Sequence, residues 1–243
     1  MTKKKLDKYG NDDEQEAISD IHLFFPLADC LLEPLHKIGL TPNGVTLLSA
    51  VFTLAGVYYF YYNKMIYAYL FYLLGYLMDC IDGRMARKYN QGSILGMILD
   101  TVTDNVTNLP LMIIFITKTI KSYGTNNFST RIILLFLIVV VTYVFSAVFG
   151  VNEAIQSYEK TKDDNFYINK IKILKDTKYH NSFIGKLFLS VYDISYKSYR
   201  KLFPEKINKN NLKALKEHLL SLKEFGPGNY CLFLTFMMYM FSS

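Results

Sequence analysis

Long uncharged runs dominate the chain. Residues 44–63 read GVTLLSAVFTLAGVYYFYYN and carry no charge, and residues 132–152 carry none either. Residues 65–78 are apolar, and the run continues past Asp79 and Asp82 to Met85; residues 94–117 are apolar except for Asp100 and Asp104. About 20 apolar residues cross a bilayer as a helix, so these four runs are expected to span a membrane. Residues 227–243 are uncharged and barely long enough for a fifth span, which breaks off at Ser243. Four such runs between residues 44 and 152 leave too little polar surface for a soluble bundle. The expected fold class is an all-α integral membrane protein, a bundle of about five transmembrane helices.

Ahead of the first run, residues 20–40 place Leu23, Leu27, Leu31, Leu35 and Ile38 close to helical spacing, with Pro26 and Pro34 interrupting. That pattern suits an N-terminal helix lying in the membrane interface, or a short cytosolic cap helix. Gly39 to Asn43 then breaks the chain before the first span. Leu212, Leu215, Leu219 and Leu222 repeat at helical spacing among lysines, which predicts an amphipathic helix. The expected organisation is a charged tail over 1–20, a membrane core over 21–152, a basic insertion over 153–226 and the fifth span over 227–243.

Charge sharpens this picture. The 243 residues hold 27 Lys and Arg against 21 Asp and Glu, a net charge of +6. Segment 153–226 carries fifteen bases and nine acids, which accounts for the whole surplus. With the N-terminus inside, the external loops hold only Lys64, Lys118, Lys121 and Arg131, so the positive-inside bias puts the loop near residue 90 and the basic insertion in the cytosol. The first 20 residues are charged and lack the apolar core of a signal peptide. A basic loop beside a bilayer fits anionic lipid or phosphate better than nucleic acid. Cys30, Cys80 and Cys231 are odd in number and far apart, and read as free thiols.

The carboxylates inside the apolar runs carry the chemistry. Asp79 and Asp82 are three apart and share one helix face with Gly83 and Ala86. Asp100 and Asp104 are four apart on the next helix, one turn after Gly96. A short linker makes the two helices antiparallel neighbours, so the four acids can converge. Four charges at such depth cannot stay ionised and unpaired, so either their pKa values rise or cations neutralise them; carboxylate-only ligation would select hard ions such as Mg²⁺, Mn²⁺ or Ca²⁺. Two ions held by shared carboxylates suit phosphoryl transfer, and Arg87 can pair with a phosphate. Salt bridges to Arg84, Arg87 and Lys88 are the structural alternative. A cation pathway would need acids deeper in the spans.

The stretch from Asp79 through Asp82, Gly83, Ala86 and Arg87 to Gly96, Asp100 and Asp104 resembles the signature of the CDP-alcohol phosphatidyltransferases, with every fixed position at its spacing. The resemblance runs over residues 25 to 150 and includes Thr41, Pro42, Asn43 and Thr46. It implies a membrane enzyme of phospholipid synthesis, commonly of six spans, that takes a CDP-alcohol lipid and an acceptor alcohol. Asp79, Asp82, Asp100 and Asp104 would hold two Mg²⁺ or Mn²⁺ ions. Gly83, Ala86 and Gly96 would line a cytidine pocket with Asn43, Thr46 and Arg87 near it. Asp104 would be the general base, and CMP would leave. Asn90, Gln91, Gly92 and the Thr103 before the last acid are similar to phosphatidylinositol synthases, which points to an inositol-type acceptor, although Asn105 stands where an Arg is usual. The resemblance also implies a homodimer. The alternative is a catalytically silent membrane protein that keeps CDP-lipid or metal binding.

Overall fold

The computed structural model of the chain describes residues 16–161, 181–183, 185–190 and 209–242, and every regular element among them is helical. A π-helical turn at Asp20–Phe24 runs directly into α1 (Phe25–Lys37). There follow α2 (Pro42–Tyr61), α3 (Met65–Lys88), α4 (Ile94–Lys121), α5 (Phe128–Thr161), α6 (Lys209–Ser221) and α7 (Pro227–Met240). Gly39, at φ +89°, turns the chain out of α1. Thr41 then caps α2, its Oγ1 accepting the Gly44 N–H at 3.3 Å, with Pro42 in the first turn. Ser93 caps α4 in the same way, accepting the Gly96 N–H at 2.9 Å.

Cross-helix contacts set the topology. Asn43 meets Gly96 at one end of α2 and α4, while Lys118 bonds Asn63 and the Phe60 and Phe115 rings meet at the other. The two helices therefore run parallel, and α3 runs back antiparallel along α2, where Gly56 meets Tyr72 and Gly75 meets Thr53. A Cβ on Gly75 of α3 would fall on Thr53 of α2, so small residues let these two backbones close up. The main core lies toward the Asn63 end, where Val57, Phe60, Tyr72, Leu111, Phe115, Ile138, Leu234 and Phe241 interlock. A second core seats α1 through Phe24, Ala28 and Leu32 on Leu77, Met78, Ile81 and Met85 of α3.

Three helices are long and apolar enough to cross a membrane: Pro42–Tyr61, Met65–Lys88 and Phe128–Asn152. Ile133, Phe136 and Val139 of the third are exposed, as a surface turned to lipid requires. The expected run at 94–117 is one continuous helix of 28 residues, its apolar surface broken by Asp100, Asp104, Asn105 and Asn108. The fifth run forms α7, 14 residues long. That is about 21 Å at 1.5 Å per residue, short of the ~30 Å hydrocarbon core.

The helical stretch over 20–37 differs from its sequence pattern in one respect. Leu23, Leu27 and Leu31 form the outward face, 44%, 45% and 37% exposed, while Phe24, Ala28 and Leu32 are the residues that pack on α3. Its two prolines do not break it. Pro26 sits in the first turn of α1, where no N–H is required. Pro34 and Cys30, whose carbonyl Pro34 leaves without its helical partner, are both exposed.

Most of the basic insertion, including Phe166, Tyr167 and Tyr179, lies outside the described residues, as do residues 1–15. The parts described pack onto the bundle. Leu215 and Leu219 of α6 are buried against Val148, Val151, Ile155 and Tyr158 of α5, with Leu212 and Leu222 beside them, which is the amphipathic face expected there. Phe188 is fully buried against Ile98 and Val102 of α4, next to the acidic positions of that helix.

Candidate active site

The N-terminal turns of α2 and α4 flank the C-terminal half of α3, and the acidic residues project into the space they share. Asp79, Asp82 and Asp100 each place one carboxylate oxygen within 4.8 Å of the others. The i, i+3 spacing on α3 and the reversal at Tyr89–Ser93 are sufficient for this convergence. Asp104 stands outside that triplet with an exposed side chain, yet close enough for the charges of Asp79, Asp82 and Asp100 to act on it.

Two neighbours orient the acids. Thr46 of α2 donates its hydroxyl to Asp82 Oδ2 at 2.6 Å, and both residues are buried. Arg87 lies one turn beyond Gly83 with its guanidinium 3.5 Å from the position a Gly83 Cβ would take, and its charge reaches Asp82. Arg84 and Lys88 take part in ion pairs away from the cluster: Arg84 reaches Asp29 at 3.0 Å and Lys88 reaches Glu33 at 2.6 Å, both on α1. The spacing of four on each helix produces these parallel pairs, which fasten α1 to α3. The salt-bridge alternative for the acidic cluster thus has two of its three bases engaged with α1.

The small residues sit where backbones or a flat ligand need room. Gly96 packs so tightly that a Cβ would lie 2.9 Å from Asn43 Oδ1. Gly83 and Ala86 are partly exposed along the same stretch of α3, and the Ala86 carbonyl accepts the Gln91 N–H at 2.9 Å. Asn43, Thr46, Asp79, Gly83, Ala86, Arg87 and Gly96 therefore all belong to one end of the bundle. The site is open there and polar, and two capped helix N-termini, which favour anions, are beside it. Its donor set is carboxylate oxygen throughout, the chemistry that hard divalent cations prefer.

One further acidic residue takes its meaning only from the fold. Asp20, in the π-helical turn, is 1% exposed and accepts hydrogen bonds from the Tyr76 hydroxyl at 2.7 Å and the Gly228 N–H at 3.0 Å. Burial pushes its carboxyl above the usual range, an effect that these two hydrogen bonds only partly offset. Its one sequence signal is a carboxylate directly before the apolar run IHLFF; its partners are 56 and 208 positions away.

Several curated proteins are similar to parts of this chain. An archaetidylinositol phosphate synthase from Pyrococcus horikoshii is 31% identical over 78 residues, 32% of this chain and 42% of that protein. A CDP-diacylglycerol–inositol 3-phosphatidyltransferase from Saccharomyces cerevisiae is 58% identical over 36 residues, 15% of this chain and 16% of that protein. An uncharacterized protein from Aquifex aeolicus is 36% identical over 87 residues, 34% of this chain and 44% of that protein. The chain thus spans less than half the length of the curated relatives it matches. No solved structure matches it. The family profile described as CDP-alcohol phosphatidyltransferase matches residues 39–175, a stretch that contains the whole acidic cluster, both capped helix starts and more than half of the chain. On that match, and on the placement of its acids, the chain belongs to the CDP-alcohol phosphatidyltransferase family.

Proposed function

We propose that this chain transfers a phospho-alcohol group from a CDP-alcohol, of which CDP-diacylglycerol is the type, to an inositol-type acceptor with release of CMP. The observation that carries this reading is the convergence of Asp79, Asp82 and Asp100 beside the capped starts of α2 and α4. The inositol-type acceptors in the names of the Pyrococcus and Saccharomyces relatives, together with Asn90, Gln91, Gly92 and Thr103, support the acceptor class.

Asp79, Asp82, Asp100 and Asp104 would hold two divalent ions, Mg²⁺ or Mn²⁺. When bound, these supply positive charge that stabilises the transferring phosphate and the departing CMP. Thr46 keeps the Asp82 carboxylate aimed into the site. Arg87 pairs with a phosphate oxygen of the donor. Gly83, Ala86 and Gly96 leave space for the cytidine, and Asn43 offers its amide to that ring. Asp104, exposed toward the opening, accepts the proton of the acceptor hydroxyl. The new bond forms between that oxygen and the β-phosphorus. The bond from the β-phosphorus to the bridging oxygen breaks, and the electron pair leaves with CMP.

The site lies at the cytosolic end of a multi-pass bundle on this reading, because 23 of the 27 Lys and Arg fall on that side. The outward Leu23, Leu27 and Leu31 of α1 would rest in the adjoining headgroup layer.

The test is CMP release by purified protein from CDP-diacylglycerol with Mg²⁺ or Mn²⁺. Inositol, inositol phosphate, glycerol 3-phosphate and serine are supplied in turn. Release dependent on an inositol-type acceptor and abolished in Asp104→Asn is the expected result. Metal-dependent binding of CDP-diacylglycerol with no CMP from any acceptor would reject the transferase reading.

A further inference from the structure

Helix α7 begins part-way along the bundle. Its first turn lies at the level of Tyr76, twelve residues into α3, and Tyr76 is itself three residues before Asp79. The first amides of any helix lack partners within it, and an unpaired amide at such depth is costly. Here the Asp20 carboxylate supplies the missing acceptor. Its Oδ2 takes the Gly228 N–H at 3.0 Å, while its Oδ1 takes the Tyr76 hydroxyl at 2.7 Å. The fit leaves no room for a side chain at position 228, since a Cβ there would fall on Asp20 Oδ1 and would lie 2.5 Å from Ser19 Oγ. A reciprocal tie runs the other way. Glu224, just before α7, accepts from Asn229 Nδ2 at 2.7 Å and from the Ile18 N–H at 3.4 Å.

Tyr76 is thereby held at both ends of its side chain. Asp20 fixes the hydroxyl, and the Phe24 ring meets the Tyr76 ring edge-on with centroids 4.6 Å apart. Tyr76 and Asp79 are three apart and share one face of α3. A twist of α3 at Tyr76 therefore carries the Asp79 carboxylate with it. Functional constellations tolerate only about 0.5 Å and 10–20° of such movement.

We propose that Asp20 is a positioning residue for the carboxylate site: by bonding Tyr76 and the first turn of α7 at once, it fixes the rotation of α3 one turn before Asp79. The proposal rests on the reading of Asp79 as a ligand of a divalent ion, given above.

The experiment measures Mn²⁺ binding directly, by loss of the free-ion paramagnetic resonance signal, on the purified 243-residue chain in detergent. The variants are Asp20→Ala, Asp20→Asn and Tyr76→Phe, with Ile138→Ala as a comparator destabilised in the core away from the site. Asp20→Ala and Tyr76→Phe should weaken Mn²⁺ about tenfold, the lower end for partners that orient ligands, since both act on Asp79 through the helix. Asp20→Asn, which keeps one acceptor oxygen, should fall between. Ile138→Ala should lower the melting temperature without moving Mn²⁺ affinity. If Asp20→Ala fails to fold, Tyr76→Phe decides, because it keeps the ring against Phe24 and loses only the hydroxyl. Unchanged Mn²⁺ affinity in the folded variants, with lower melting temperatures alone, would overturn the positioning role. Wild-type protein that binds no Mn²⁺ would instead remove the metal reading itself, and this proposal with it.

Discussion

Thr46 of α2 donates a 2.6 Å hydrogen bond to Asp82 of α3, and both side chains are buried. Bonds to an ionised acceptor are short and strong. This one ties the capped start of α2 to the acidic cluster, since the same hydroxyl also lies 3.1 Å from the Pro42 carbonyl. Thr46→Val keeps the shape and deletes the donor. A lost bond to a charged group costs about 1.5–3 kcal/mol, so CMP release should fall at least about tenfold in kcat/KM. Thr46→Ser should recover most of it. Equal rates in Thr46→Val and wild type would show that the bond does nothing for the site.

Asp104 differs from the other three acids in its exposure and in standing outside the 4.8 Å triplet. A general base contributes typically 10²–10⁴-fold, and Asp104→Asn should lose CMP release by about that factor. Equilibrium binding of CDP-diacylglycerol should fall far less than turnover, because Asp79, Asp82 and Asp100 are untouched and the amide keeps one oxygen for the ion. Asp82→Asn should lose both. If Asp104→Asn abolishes binding as well, Asp104 is needed to hold the donor and the assignment as base has no separate support.

The contact between Asn43 and Gly96 predicts a split between stability and binding. A Cβ at position 96 would lie 2.9 Å from Asn43 Oδ1 and 3.2 Å from Ser93 Oγ. The Asn43 amide is the end of a short, movable side chain, so Gly96→Ala should cost little stability. The amide must leave its place, and KM for the CDP-alcohol should rise about tenfold with a smaller change in kcat. Asn43→Ala alone should act similarly, and the double variant should be no worse than either single one. Additive losses in that cycle would show that the two positions act separately.

These sites differ in how far the sequence discloses them. The acidic cluster is legible because its members lie on consecutive helices joined by a short reversal, so that local spacing nearly dictates the geometry. The packing face of the helical stretch over 20–37 is not legible. It carries two apolar stripes, Leu23, Leu27 and Leu31 beside Phe24, Ala28 and Leu32, and only the structure shows that the second packs on α3. The ion pairs of Asp29 with Arg84 and Glu33 with Lys88 decide that choice, and they join residues 55 positions apart. Asp100 and Asp104 blur the apolar run of α4 for the same reason that they matter: they belong to the acidic cluster. Asp20 is the extreme case, since its meaning depends on a glycine near the other end of the chain.

Asp20 also predicts a pH dependence of stability. Its carboxyl is raised above the ordinary value of 3.8, chiefly by burial, with the bonds from Tyr76 and Gly228 pulling it partly back and the Glu224 charge adding to the rise. A carboxyl whose native pKa exceeds its unfolded one binds its proton more tightly when folded. Its contribution is therefore most favourable below the unfolded value. It is lost progressively as pH climbs from about 3.8 through the raised native value, and is constant above that. Other carboxylates titrate in the same region, so the measurement is a difference: melting temperature against pH for wild type minus that for Asp20→Asn, which cannot ionise. The difference should decline with rising pH across that window and then level. A difference that instead grows with pH would mean that the hydrogen bonds to the carboxylate outweigh its burial, and the charged form would then be the one the fold selects.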